Sequence, residues 1–194
     1  MYKVYPKIIL ACLLLVMTGT VYSQRVTQTI NDGWKFSLFE GDASTADFDI
    51  SGWTDVSIPH TWNAKDADDE IPGYFRGKGW YRKVVAVEEL IPEQRVYLSF
   101  EGANQETNVF VNGTFVGNHK GGYSAFTFDV TDYVHAGRNL IAVSVDNSHN
   151  PDIAPLSADF TFFGGIYRDV YLVYTSPVQL STTCLLYTSD AADE

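Results

Sequence analysis

The sequence predicts an all-β fold, a jelly-roll β-sandwich in which two sheets bury their inner faces against each other. Three observations carry this. Short runs of strand-forming residues recur along the chain, separated by turn residues. No stretch shows sustained helical periodicity. Aromatic residues make up 14% of the 194 residues, a supply of bulky side chains that suits the space between facing sheets.

The elements follow in order. Residues 34–39 form the first run, opening on Trp34. Residues 56–58 form a short one closed by Pro59, which cannot donate to a ladder. Residues 80–87 alternate aromatic and aliphatic side chains with charges, and residues 95–100 place Val96, Leu98 and Phe100 on one face. Residues 107–111 and 115–118 flank Asn112-Gly113, a pair suited to the left-handed backbone of a tight hairpin turn. Residues 125–130, 139–145 and 169–174 complete the set. Residues 131–135 suit one helical turn, with Thr131 or Asp129 as its cap. Eight or more strands without helices between them favour a sandwich over a parallel α/β sheet.

Composition narrows the function. There are 13 Lys plus Arg against 24 Asp plus Glu, net −11, and no basic block. That excludes a nucleic-acid binder, which needs a clustered positive face. With 45% hydrophobic and 19% charged residues, the chain supports a packed core rather than disorder. Its length suits one domain and falls short of the roughly 250 residues of a barrel enzyme.

The ends read differently from the middle. Lys3 and Lys7 precede an apolar run at 8–17, and Val21-Tyr22-Ser23 offers a cleavage site before Gln24. Residues 1–23 therefore read as a secretory signal peptide, too short in its apolar part to span a bilayer. Export places the protein in the periplasm or outside the cell, with no membrane attachment after cleavage. Only Cys184 then remains, so no internal disulfide is expected. Residues 184–194 continue neither the alternation nor a linker and resemble translated adapter read-through. The sandwich is assigned to residues 24–183.

No catalytic constellation stands out: there is no G-x-S-x-G, H-E-x-x-H, CxxC or phosphate-cradling glycine loop. His60, His119, His135 and His149 lack metal-ligand spacing and read as surface or hydrogen-bonded loop residues, so no metal site is assigned. Glu88, Glu89, Glu101 and Glu106 are carboxylates, but sequence alone cannot bring two within about 5 Å, as a retaining glycosidase requires. The acidic loop 64–70 lacks the glycine and the terminal glutamate of a calcium loop. On the residues alone, this is a secreted β-sandwich that binds or assists.

Ordered motifs go further. Ile58-Pro59-His60-Thr61-Trp62-Asn63 is followed by Tyr74-Phe75-Arg76-Gly77-Lys78-Gly79-Trp80-Tyr81. Phe100-Glu101-Gly102-Ala103 and Val109-Phe110-Val111-Asn112-Gly113 come next, then His119-Lys120-Gly121-Gly122-Tyr123 and Phe126-Thr127-Phe128-Asp129-Val130-Thr131. After Val145-Asp146-Asn147 comes Asp159-Phe160-Thr161-Phe162-Phe163-Gly164-Gly165-Ile166-Tyr167-Arg168-Asp169-Val170. The series, over about residues 30–175, resembles the N-terminal sugar-binding jelly-roll domain of glycoside hydrolase family 2. The runs at 146–148 and 159–170 resemble its β-galactosidase branch most, with β-glucuronidase and β-mannosidase as alternatives.

The resemblance implies a galactose-binding-domain-like sandwich followed by an immunoglobulin-like domain and a TIM barrel bearing two catalytic glutamates. This chain holds none of the catalytic residues and is expected to be inactive alone. Its implied partner is a β-linked oligosaccharide or glycoside. The resemblance marks Asp159 as a sugar contact, and a carboxylate there can accept two hydroxyls. Arg76, in the loop before Gly79-Trp80-Tyr81, is the second substrate-binding candidate, its guanidinium able to donate to several hydroxyls. No cofactor is required by this chain. In some family β-galactosidases the residue equivalent to Asp159 also ligates a monovalent cation, the other ligands coming from the barrel. Arg168 and Asp169 are expected to be structural, and Gly164 and Gly165 to allow a tight turn. Trp34, Trp53, Trp62 and Trp80 suit core packing better than sugar stacking. Two other classes remain open: a free-standing carbohydrate-binding module, and an accessory sandwich that only packs against neighbouring domains.

Overall fold

Alternation along each strand decides which face is buried, and the two sheets follow from it. The computed structural model describes residues 25–66, 73–157 and 161–176. Residues 1–23, which the sequence reads as a signal peptide, Asp159 and the tail at 184–194 lie outside these residues. The strands are β1 (Val26–Thr29), β2 (Trp34–Leu38), β3 (Thr54–Val56), β4 (Lys78–Val87), β5 (Arg95–Phe100), β6 (Glu106–Val111), β7 (Thr114–Lys120), β8 (Phe126–Asp129), β9 (Gly137–Asp146) and β10 (Val170–Thr175). Among the described residues, one 3-10 turn spans Thr131–Tyr133.

One sheet has the order β1-β10-β5-β8 and the other β3-β2-β4-β9-β6-β7. The pairings are antiparallel. Val96, Leu98 and Phe100 of β5 and Val170 and Leu172 of β10 face Tyr81, Val85, Val109, Val111, Ile141, Val143 and Val145 of the larger sheet. This closed apolar core holds the fold, at roughly 25 cal/mol for each Å² of apolar surface removed from water.

Strands β4 and β9 are the longest pair, in register from Lys78↔Asp146 to Val87↔Gly137. Their outer face is covered as well. The segment between β2 and β3 lays Ala43, Phe48 and Trp53 over Trp80, Ala142 and Phe110. Trp80 donates its indole N–H to the Gly41 carbonyl at 3.0 Å. Arg82 is buried beneath the same segment, its guanidinium 5.8 Å from the Phe48 ring.

Three expectations need correction. β1 is an additional strand that the sequence pattern does not announce, because all four of its residues are exposed and carry no alternating apolar face. The short strand near Pro59 lies at Thr54–Val56, set by its pairing with β2 rather than by its own composition. The 3-10 turn has Val130 at its cap position. Asp129 nonetheless accepts from the Thr131 N–H at 3.0 Å, so the polar bond falls one residue earlier than a helix cap would place it.

Candidate functional site

The β4/β9 register builds one end of the sandwich. Because Lys78 pairs with Asp146, Gly77 and Asn147 leave the sheet side by side, and the Asn147 N–H donates to the Gly77 carbonyl at 3.1 Å. Three segments meet here: residues 58–66 and 73–77, both between β3 and β4, and residues 161–166 ahead of β10.

Three buried asparagines tie the 161–166 segment down at consecutive residues. Asn147 donates to the Phe162 carbonyl at 3.1 Å, Asn104 to the Phe163 carbonyl at 2.9 Å, and Asn63 accepts from the Gly164 N–H at 2.6 Å. A buried backbone group without a partner costs about 1–3 kcal/mol, so side-chain amides take the role that a ladder would otherwise fill. Gly165 completes the turn with φ +119°, and a Cβ there would sit 2.6 Å from the His60 carbonyl oxygen and the Tyr81 hydroxyl. The backbone here thus requires glycine, as the sequence suggests. Gly164 is constrained by proximity instead, since the Trp62 indole lies against it.

Arg76 sits on this edge, half-buried. Its guanidinium carbon is 4.8 Å from the Tyr74 ring centroid and 5.2 Å from that of Phe162, and it donates to the Tyr74 hydroxyl. Among the described residues it has no ion-pair partner. A cation stacked between two rings keeps its outward N–H groups for an oxygen-rich ligand. Phe75, Phe163, Tyr123 and Leu156 are exposed large side chains from the same loops and their neighbours. Behind them, Trp62 stacks on Phe36 with centroids 5.9 Å apart, and His60 places Nδ1 2.8 Å from the Tyr81 hydroxyl. Burial pushes the Tyr81 phenol far up, so it stays neutral.

Other candidate residues lie elsewhere or serve the fold. Trp34 and Trp80 are core residues. Asp169 accepts from Asn31 at 2.9 Å and from the Tyr171 hydroxyl at 3.0 Å, while exposed Arg168 lies over the Tyr167 ring. Glu88 and Glu89 line a cavity of about 500 Å³ with Val26, Ile91 and Tyr174, beside the start of β1 and the end of β10. Glu106 pairs with Lys120 at 3.7 Å. Among the described residues, no group of three or more His, Cys, Asp or Glu is arranged to hold a metal ion. The acidic loop at 64–70 is described only to Asp66, which accepts from Asn63 and from the Phe75 N–H.

Comparison with known proteins decides what kind of sandwich this is. The model for the sugar-binding domain of family 2 glycosyl hydrolases matches residues 27–177. The chain belongs to that family. A putative β-glucuronidase of Formosa agariphila is 37% identical over 174 residues, covering 87% of this chain and 21% of the relative. A β-galactosidase of Thermoanaerobacter pseudethanolicus is 40% identical over 157 residues, covering 76% of this chain and 19% of the relative. The crystal structure of Bacteroides uniformis β-glucuronidase matches with a TM-score of 0.73 and 46% identity, over 79% of this chain and 18% of that one. The chain thus spans about a fifth of the length of these relatives, as an N-terminal sugar-binding piece of a family 2 enzyme would.

Arg76 is legible in the sequence of this family 2 domain as a candidate, whereas the asparagines around it are not. Asn63 and Asn147 each stood inside a motif, at the ends of Ile58–Asn63 and Val145–Asn147. What the sequence could not show is that they touch, at 3.3 Å across 84 positions.

Proposed function

We propose that this domain serves an exported retaining exo-β-glycosidase acting on β-glucuronides, and that it supplies one wall of the sugar subsite to a catalytic barrel carried elsewhere in the protein. The observation that carries the substrate is the 46% identity to a β-glucuronidase over most of the chain. Arg76 agrees with it: a guanidinium with no ion pair among the described residues suits a uronate carboxylate as well as hydroxyls. Asp159, two residues ahead of the described segment at Thr161, is the second sugar contact in this reading, accepting from ring hydroxyls. A carboxylate and a guanidinium would then bind complementary groups of one sugar. The immunoglobulin-like and barrel domains belong to this proposal, as does secretion or passage to the periplasm directed by residues 1–23.

A β-galactoside substrate, which the motifs at 146–148 and 159–170 suggest, is the second reading, favoured by the 40% identity to the Thermoanaerobacter enzyme.

Steady-state kinetics on the full-length protein test both. The expected outcome is a kcat/KM for 4-nitrophenyl β-glucuronide at least about a hundredfold above that for the β-galactoside, with Asp159→Ala lowering it by about tenfold or more. The opposite ranking would move the assignment to the second reading. Hydrolysis of neither substrate would overturn both.

A further inference from the structure

We propose that Asn63 and Asn147 act as a pair of positioning residues that aim Arg76 at the substrate. This rests on the reading of Arg76 as a sugar contact and adds the device that sets its direction. Both amides are buried, Asn63 2% exposed and Asn147 fully enclosed. Asn63 uses its whole hydrogen-bonding capacity. Its oxygen accepts from the Gly164 N–H at 2.6 Å and from Asn147 at 3.3 Å, and its nitrogen donates to Asp66 and to the Phe75 carbonyl, both at 2.7 Å. Asn147 accepts from the Gly77 N–H at 2.9 Å and donates to the carbonyls of Phe162 at 3.1 Å and Phe75 at 3.3 Å.

The bonds converge on Arg76 without touching it. Residues 75 and 77, on either side of it, are both gripped, and so is Phe162, whose ring carries its guanidinium. The pair therefore fixes the origin of the Arg76 side chain and the surface on which it rests, in one frame. Two apolar side chains of similar volume would fill the space but would leave the Phe75 and Phe162 carbonyls and the Gly77 and Gly164 N–H groups without partners. A fully satisfied buried network instead specifies one geometry. Asp66 closes the network at the surface, accepting from Asn63 and from the Phe75 N–H at 2.8 Å.

A double-mutant cycle in the full-length enzyme tests this, with 4-nitrophenyl β-glucuronide and the β-galactoside as probes. Arg76→Ala and Asn147→Asp are made singly and together, and the thermal midpoint of each is recorded. Asn147→Asp keeps the acceptor for Gly77 and removes the donors to Asn63, Phe75 and Phe162. It should lower kcat/KM on the better substrate by about tenfold, chiefly through KM, while in the Arg76→Ala background it should cost less than about twofold. Losses that multiply, or an Asn147→Asp enzyme with unchanged kcat/KM beside a crippled Arg76→Ala enzyme, would overturn the positioning role alone. An Arg76→Ala enzyme with unchanged kinetics would instead remove Arg76 from the sugar site, and the inference with it. If Asn147→Asp does not fold, Asp66→Ala decides in its place. It should cost about threefold in kcat/KM and nothing further once Arg76 is gone, and independent losses would again overturn the proposal.

Discussion

His60 is held neutral by what surrounds it. Its ring centroid lies 4.6 Å from that of Phe36, its Nδ1 faces the Tyr81 hydroxyl, and burial pushes its pKa below the usual 6.5. The unfolded chain accepts a proton there that the folded chain resists. The stability this gives is complete above about pH 6.5 and is lost as pH falls through that value toward the lower folded pKa. Urea midpoints should therefore drop between about pH 7.5 and about pH 5.5, and drop less in His60→Gln. His119, pushed down by its own burial, remains in that variant, so the drop should shrink rather than vanish. An equal drop in both proteins would clear His60 of the effect. Residue type alone does not announce this contact, although His60 and Tyr81 both lie in the ordered motifs at 58–63 and 74–81. It depends on a loop folding back over β4. At Gly165 the residue itself was more legible, because a glycine next to a strand has few reasons other than an unusual φ or a close approach.

Among the elements, the hairpin between β6 and β7 matched its sequence most directly. Asn112 and Gly113 both have positive φ, 52° and 81°, which a two-residue turn of this hand requires. Asn112 also reaches beyond the turn, to the Tyr133 carbonyl at 2.8 Å and to Asn139 at 2.9 Å. Asn139, fully buried in β9, accepts from the His135 N–H and donates to the carbonyls of His135 and Gly137. It holds the entry to β9, one of the two longest strands. Asn139→Ala should destabilise the domain by about 2 kcal/mol or more, because several backbone groups lose their partner together. Equilibrium urea unfolding measures it, and a loss below about 0.5 kcal/mol would show that water replaces the amide. The element that the sequence missed, β1, shows the limit of periodicity. It is an edge strand exposed along its whole length, recruited by backbone bonding to β10 with no apolar face to announce it.

For the molecule as a whole, the buried core runs from Ile30 to Leu172, through both sheets and the loops that cap them. The isolated sandwich should therefore fold, and the proposed division of labour predicts that it does nothing by itself. Residues 25–183 expressed alone should hydrolyse neither glycoside, and calorimetric titration with glucuronic acid or galactose should give no measurable heat. Binding at a Kd of about 1 mM or tighter would instead favour a free-standing carbohydrate-binding module. The sequence by itself determined the all-β class, most strand positions and the family, because alternation records which face of a strand is buried and ordered motifs record ancestry. Tertiary structure alone decided which loops share an end. Asn63 and Gly164 stand 101 positions apart and meet at 2.6 Å only because β4 and β9 run in register from Lys78↔Asp146 onward. A periodic pattern fixes the side of the sheet a residue faces. It carries no information about which distant backbone groups will need an amide, and that need is what built the edge around Arg76.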